Sequence, residues 1–133
     1  MATFQLQIVT PDRMVFDGEA SELIVRTITG DICILAHHID YAAPLGIGEA
    51  RVTDADGKQR CAACNGGLLS VSNNQVRVMA TTFEWEEDID LDRAKRAESH
   101  AQELLKKLSQ SDADYALAEA RLKRALARIQ AKG

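Results

Sequence analysis

The sequence predicts an α+β protein, an N-terminal antiparallel β-sandwich over residues 1–86 followed by a C-terminal antiparallel two-helix hairpin over residues 87–133. Three observations carry that expectation. Apolar residues alternate with a period of two before the acidic cluster Glu84-Trp85-Glu86-Glu87-Asp88, and recur every three or four residues after it. Both prolines, and all eight glycines except Gly133, precede the cluster, whereas helix-forming alanine, leucine, lysine, arginine and glutamate dominate beyond it. The charge also changes there: residues 1–86 hold 6 basic and 11 acidic side chains, net −5, and residues 87–133 hold 10 and 9, net +1.

Taken in order, Phe4, Leu6 and Ile8 alternate with Thr3, Gln5 and Gln7, as in a half-buried strand. Leu23-Ile24-Val25, Ile32-Cys33-Ile34-Leu35, Leu68-Leu69-Ser70-Val71 and Val76-Arg77-Val78-Met79 read as further strands. Turn signals stand between the runs: Thr10-Pro11-Asp12, Asp17-Gly18, Thr29-Gly30, Asp54-Ala55-Asp56-Gly57, Gly66-Gly67 and Asn73-Asn74. Seven or more short strands in two facing sheets are expected from that spacing.

Beyond the cluster, Asp90 is placed to cap a helix whose helical spacing runs Leu91, Ala94, Ala97 or Glu98, Ala101, Leu104, Leu105 and Leu108. Ser109-Gln110-Ser111 interrupts, and Ser111 with Asp114 resembles a capping box that restarts the chain. Tyr115, Ala118, Leu122, Ala125 and Ile129 then form one narrow stripe. So short a connection makes the pair an antiparallel hairpin. Its seam is mostly alanine, which buries little area at about 25 cal/mol per Å². Such a hairpin depends on docking for its stability, and elements of that kind are the ones that move.

The net charge of −4 argues against a general nucleic-acid binder, and no apolar run is long enough to span a bilayer. The start, MATFQLQIVT, has neither a basic n-region nor an apolar h-region, so no secretory signal is expected. Three cysteines are an odd number, consistent with a reduced compartment. No phosphate-binding glycine loop, G-x-S-x-G elbow or His-Glu-x-x-His helix is present, and nothing nominates a nucleophile. An independent enzyme is not expected.

Cys61-Ala62-Ala63-Cys64 has metal-ligand spacing, with His37 and His38 as candidate further ligands. In an extended strand, however, positions 61 and 64 face opposite ways, which favours core thiols. His37-His38 stands at a strand end, as a loop hydrogen-bonding pair or a partner contact. Asp90 and Arg93 share a helix face, while Arg124 and Arg128 share a face of the second helix and return toward Arg93 in an antiparallel hairpin. Solvated arginines are one reading. The other is a nucleoside-triphosphate site of three guanidiniums beside a carboxylate.

Along its whole length the chain resembles the ε subunits of F-type ATP synthases. The resemblance rests on Leu6-Gln7-Ile8-Val9-Thr10-Pro11-Asp12-Arg13, Val15-Phe16-Asp17-Gly18, Gly30-Asp31-Ile32-Cys33-Ile34-Leu35 with His38, Gly66-Gly67-Leu68-Leu69-Ser70-Val71, Asn73-Asn74-Gln75-Val76 and Ile89-Asp90-x-x-Arg93-Ala94. Cys33 stands where the family usually has glycine, and Ala36-His37-His38-Ile39-Asp40-Tyr41 replaces a proline-glycine-histidine loop.

The resemblance implies a non-catalytic rotor subunit of the central stalk. Its sandwich would bind the γ subunit and the c-ring, with Asp31 and His38 as the contact loop. Its mobile hairpin would reach the α/β catalytic head and restrain ATP hydrolysis. No cofactor is required, but regulatory ATP is implied at Glu84, Ile89, Asp90, Arg93, Ala94, Arg124 and Arg128, with His100 where a further arginine is expected. The implied place is peripheral to the membrane, on the cytoplasmic face of a bacterial inner membrane or the stromal face of a thylakoid. The competing reading is a free-standing ATP- or metal-sensing module.

Overall fold

The computed structural model describes residues 2–108 and 113–132. Six strands come first: β1 (Phe4–Val9), β2 (Met14–Thr27), β3 (Gly30–Leu35), β4 (Tyr41–Asp54), β5 (Gln59–Ser72) and β6 (Gln75–Trp85). A 3-10 turn, Glu86–Asp88, leads to helices α1 (Leu91–Lys107) and α2 (Ala113–Lys132). The α+β architecture of sandwich then hairpin is therefore as the sequence predicts. Ser111 and the Ser109–Ser111 interruption lie outside the described residues.

The strands are fewer and longer than expected. Strands β2, β4 and β5 each run 14 residues, bending through both layers of the sandwich. Two of the anticipated turns therefore fall inside strands. Asp17 and Gly18 pair with Gln7 and Leu6, and Gly67 pairs with Leu45 on one side and Ala80 on the other. Gly67 has a φ of +124°, and a Cβ there would lie 2.0 Å from the Met79 carbonyl oxygen, so the glycine serves a close strand crossing instead of a reversal. Pairing of β2 with β4 skips register between Ile24 and Thr27, where Gly48 lets the Arg26 stem pass.

The strand order is β1-β6-β5-β4-β2-β3, and β1 also pairs with β2, so the sheet closes on itself with β3 appended at one edge. All pairings are antiparallel except β1 with β6, which is parallel because the first and last strands share no hairpin. Short turns join the antiparallel neighbours. Asn73 and Asn74 both take positive φ, 51° and 60°, the left-handed pair that a two-residue hairpin uses.

Phe4, Leu6 and Ile8 point inward with Leu23, Val25, Ile34, Val52, Leu69 and Val78, each almost wholly buried. Side chains of this size contribute roughly 1.5–3 kcal/mol each on full burial. Trp85 closes the core beside the hairpin, edge-on to Phe83 at 5.1 Å and to Phe16 at 6.4 Å between ring centroids.

The hairpin is held through its second helix. Helix α2 packs on β4, β5 and α1, whereas α1 packs chiefly on α2. Ala118 and Ala125 belong to the stripe expected from the sequence and are buried. Ala127 and Ala131 form a second buried line, lying with Ile89, Ala63 and Ile47 in a small cluster separate from the sandwich core. The described residues include no helix long and apolar enough to cross a membrane.

Candidate functional site

The junction between the two parts gathers most of the nominated residues. Asp90 precedes α1 in extended conformation, and its Oδ1 accepts the Arg93 amide at 3.1 Å, the cap expected from the sequence. The Asp90 carbonyl accepts the Ala94 amide at 3.0 Å. Ala94, a small residue on the inner face of α1, is buried. Glu84 lies near the end of β6, and its Oε1 accepts from Nε of Arg128 at 2.9 Å. Both side chains are 37% exposed, so the pair is a partly solvated latch worth at most about 1 kcal/mol.

Glu84, Asp90, Arg93, Ala94 and Arg128 line one cleft of about 250 Å³ together with Asp88 and Ala97. The Arg93 guanidinium makes no hydrogen bond or ion pair among the described residues and faces that cleft. Two nominated residues stand apart from it. Ile89 is buried under Ala127 and Ala131, and Arg124 lies on the sandwich side of α2, near Ile47, Thr82 and Glu84. His100 is farther off, on a face of α1 shared with Lys95, Arg96, Ser99 and Glu103. Asp88 was not nominated for the site from sequence, and Ala97 was expected only as one of the apolar positions of the first helix. Lys132, one of the basic side chains of the second helix, was not nominated for the site; its Nζ donates to the Glu86 carbonyl at 3.0 Å. Ala97 falls on the helical spacing of Ala94 and Ala101, which puts it on the same face as the cleft.

Asp31 and His38 do not share one loop. Asp31 lies at the start of β3 beside the Thr27–Gly30 turn, and His38 follows the far end of that strand, whose run from Asp31 to Leu35 spans about 13 Å at the usual rise per residue. The Arg26 guanidinium donates to both oxygens of Asp31, at 2.7 and 3.3 Å, and holds its carboxyl below the usual range. His38 has Nδ1 2.7 Å from the Ile39 carbonyl and its ring edge-on to Tyr41. The Asn73-Asn74 turn braces this loop: the His37 amide donates to Asn74 and the Asn73 amide to Asp40.

The cysteine pair behaves as an extended strand dictates. Cys64 points into the core, where burial pushes its thiol up to about 12. Cys61 faces outward beside Glu49, raised first by burial and then by the Glu49 hydrogen bond. Among the described residues, no group of three or more histidines, cysteines or carboxylates is placed to hold a metal ion.

One surface feature had no signal in the periodicity. Pro44, Leu68, Met79, Val9 and Met14 are consecutive cross-strand partners over β4, β5, β6, β1 and β2. Leu68, Met79 and Met14 are 42%, 38% and 50% exposed, making an apolar row across the outside of the sandwich. The neighbouring row is polar, with Arg77 Nη2 donating to Gln7 at 3.2 Å.

Comparison with known proteins agrees with this two-part build. Residues 3–86 match the family model described as "ATP synthase, Delta/Epsilon chain, beta-sandwich domain", and residues 87–133 match its "long alpha-helix domain". The ATP synthase epsilon chain of Bacillus velezensis is 41% identical, covering 100% of this chain and 99% of that one. That of Caldicellulosiruptor bescii is 39% identical over 98% of this chain and 93% of its own. A Propionigenium modestum relative, named as sodium ion specific, is 36% identical over 98% and 93%. Among solved structures, a chain of the Euglena gracilis mitochondrial ATP synthase superposes with a TM-score of 0.85 at 22% identity, covering 98% of this chain and 81% of that one. The fold, both family-model matches and full-length relatives lead to one conclusion: this chain belongs to the epsilon chains of ATP synthase.

Proposed function

We propose that this chain is a non-catalytic rotor subunit of the central stalk, with residues 1–86 gripping the γ subunit and the c-ring, and residues 87–133 forming a mobile arm that restrains ATP hydrolysis at the α/β head. The observation that carries the reading is the contrast between the two parts. The sandwich is closed around a large apolar core, while the hairpin is held by α2 through alanines, one buried isoleucine and a partly solvated ion pair. A hold of that kind is exchanged for another docking surface at small cost.

The apolar row Pro44–Leu68–Met79–Val9–Met14, rimmed by polar residues, has the character of a protein-binding surface, and γ is its proposed occupant. Asp31 and His38 are assigned to contacts with the c-ring or γ on two separate connections. No phosphate-binding loop or nucleophile recommends chemistry of the chain's own; ATP turnover belongs to the complex. The complex places the chain peripheral to the membrane, on the cytoplasmic face of a bacterial inner membrane.

The cleft between β6, α1 and α2 is the proposed regulatory ATP site. Arg93 is free to meet a phosphate there, and Arg128 would exchange Glu84 for one. Arg124 and Ile89 would support the walls of the cleft without lining it.

Adding the protein to an ATP synthase head depleted of this subunit tests the whole reading: the hydrolysis rate should fall, and γ should co-purify. Leu68→Lys with Met79→Lys, on exposed positions, should cut γ binding at least tenfold, since each hides apolar area the partner needs. Full binding by the double variant would remove the row from the interface. Calorimetry with millimolar ATP tests the cleft, and absence of heat would withdraw all seven proposed positions.

A further inference from the structure

The chain passes from sandwich to hairpin through only a few residues, and they are held unequally. Arg60, on β5, lays its guanidinium over the Trp85 ring, 3.7 Å from the centroid, and donates through Nη2 to Glu87. That contact ties the 3-10 turn Glu86–Asp88 to the sheet from the sheet's own side. The Ile89 amide donates back to the Glu86 carbonyl at 3.2 Å, so the turn is closed on itself. On the other side, Asp90 caps α1 with both its side chain and its carbonyl and belongs to the helix. Ile89 and Asp90 are extended, with φ/ψ of −83°/126° and −85°/103°. Helix α2 touches the turn from outside, through Lys132 on the Glu86 carbonyl and through Ala127 and Ala131 over Ile89.

We infer that Arg60 pins the turn Glu86–Asp88 to the sandwich, so that the hairpin pivots at Ile89–Asp90. The inference rests on the proposed mobility of the hairpin and adds where the motion is absorbed. Ordinary extended residues at the end of an element serve as hinges without being glycine. The pin also divides the cleft. Glu84 and Asp88 stay with the sandwich, while Asp90, Arg93, Ala94 and Arg128 leave with the helices.

Amide hydrogen exchange on the full-length chain, resolved residue by residue, reads this directly. Ala127→Leu serves to loosen α2, and Arg60→Gln to remove the pin. With Ala127→Leu alone, amides of α1 should exchange faster while the Ile89 amide stays within about twofold of its native rate. Adding Arg60→Gln should speed the Ile89 amide by about tenfold or more, with the Val78 amide in the core unchanged. Glu87→Gln, at an exposed position, should act in the same direction and guards against misfolding of the Arg60 variant. Trp85, the sole tryptophan, gives a second readout: its emission should not shift when only Ala127→Leu is present. Acceleration of Ile89 together with α1 while Arg60 is intact overturns the pivot and leaves the mobile hairpin standing. An Ile89 rate indifferent to both Arg60→Gln and Glu87→Gln overturns the role of the pin. Helix amides that never separate from those of the strands overturn the mobility and the pivot together.

Discussion

Replacing Ala127 by leucine isolates the strength of the hairpin's hold. Ala127 is 4% exposed, and its neighbours across the interface are Ile89, Ala63 and Ile47. Leucine adds three carbons at a buried helix–sheet contact, and overpacking of this kind costs about 1–3 kcal/mol. Its intrinsic helix propensity lies within a few tenths of a kcal/mol of alanine's, so α2 itself is hardly affected. The native hold is itself only a few kcal/mol. Burial of Ile89 contributes roughly 2 kcal/mol and each alanine methyl under about 1. The half-solvated Glu84–Arg128 pair adds at most about 1. The substitution should therefore lower the ratio of docked to undocked forms by about 5- to 150-fold. Amide exchange should show that acceleration across α1 and α2, with Leu6 and Val78 in the sandwich unaffected. Unchanged helix amides, or equal acceleration throughout the molecule, would refute the idea of a weakly docked arm on a separate core.

Two further outcomes follow from the electrostatics and the burial. The Arg26 hydrogen bond lowers the carboxyl of Asp31 below its ordinary 3.8, so the stabilisation from this pair is complete above that value and is lost as the pH falls through the lowered one. An NMR titration should place the Asp31 midpoint below 3.8 and show it rising in Arg26→Gln; a midpoint that ignores the substitution would contradict the pairing. Thiol labelling near pH 8 should proceed in the order Cys33, then Cys61, then Cys64, with Cys64 modified only on unfolding, because burial holds its thiol at about 12. Rapid labelling of Cys64 in the folded protein would contradict its place in the core.

Local rules were legible wherever one physical preference dominated. Phe4, Leu6 and Ile8 showed their inward face by alternation, Asp90 its cap by side-chain chemistry, and Asn73-Asn74 its turn by tolerance of positive φ. Gly66-Gly67 misled because glycine marks both reversals and close crossings, and only the opposing strand decides between them. The second docking line of α2 was hidden for a similar reason. Alanine is common on every face of a good helix, so Ala127 and Ala131 carry no contrast that periodicity can detect. The gathering of Glu84, Asp90, Arg93 and Arg128 could be anticipated from antiparallel geometry. Arg124, one helical turn from Arg128, instead follows the rotation of α2, which is set by packing against Ile47 and Ala63.

The parallel seam between β1 and β6 has a consequence for biosynthesis. Leu6 is opposite Val76, so β1 finds one of its two neighbours only after some seventy further residues have been made. Until then Phe4, Leu6 and Ile8 have one side of their strand unpaired, an arrangement that favours slow closure and sticky nascent chains. Completion of the sandwich is thus timed by the very strand that hands the chain on to the hairpin, and the arm emerges only when the body that will carry it is ready to close.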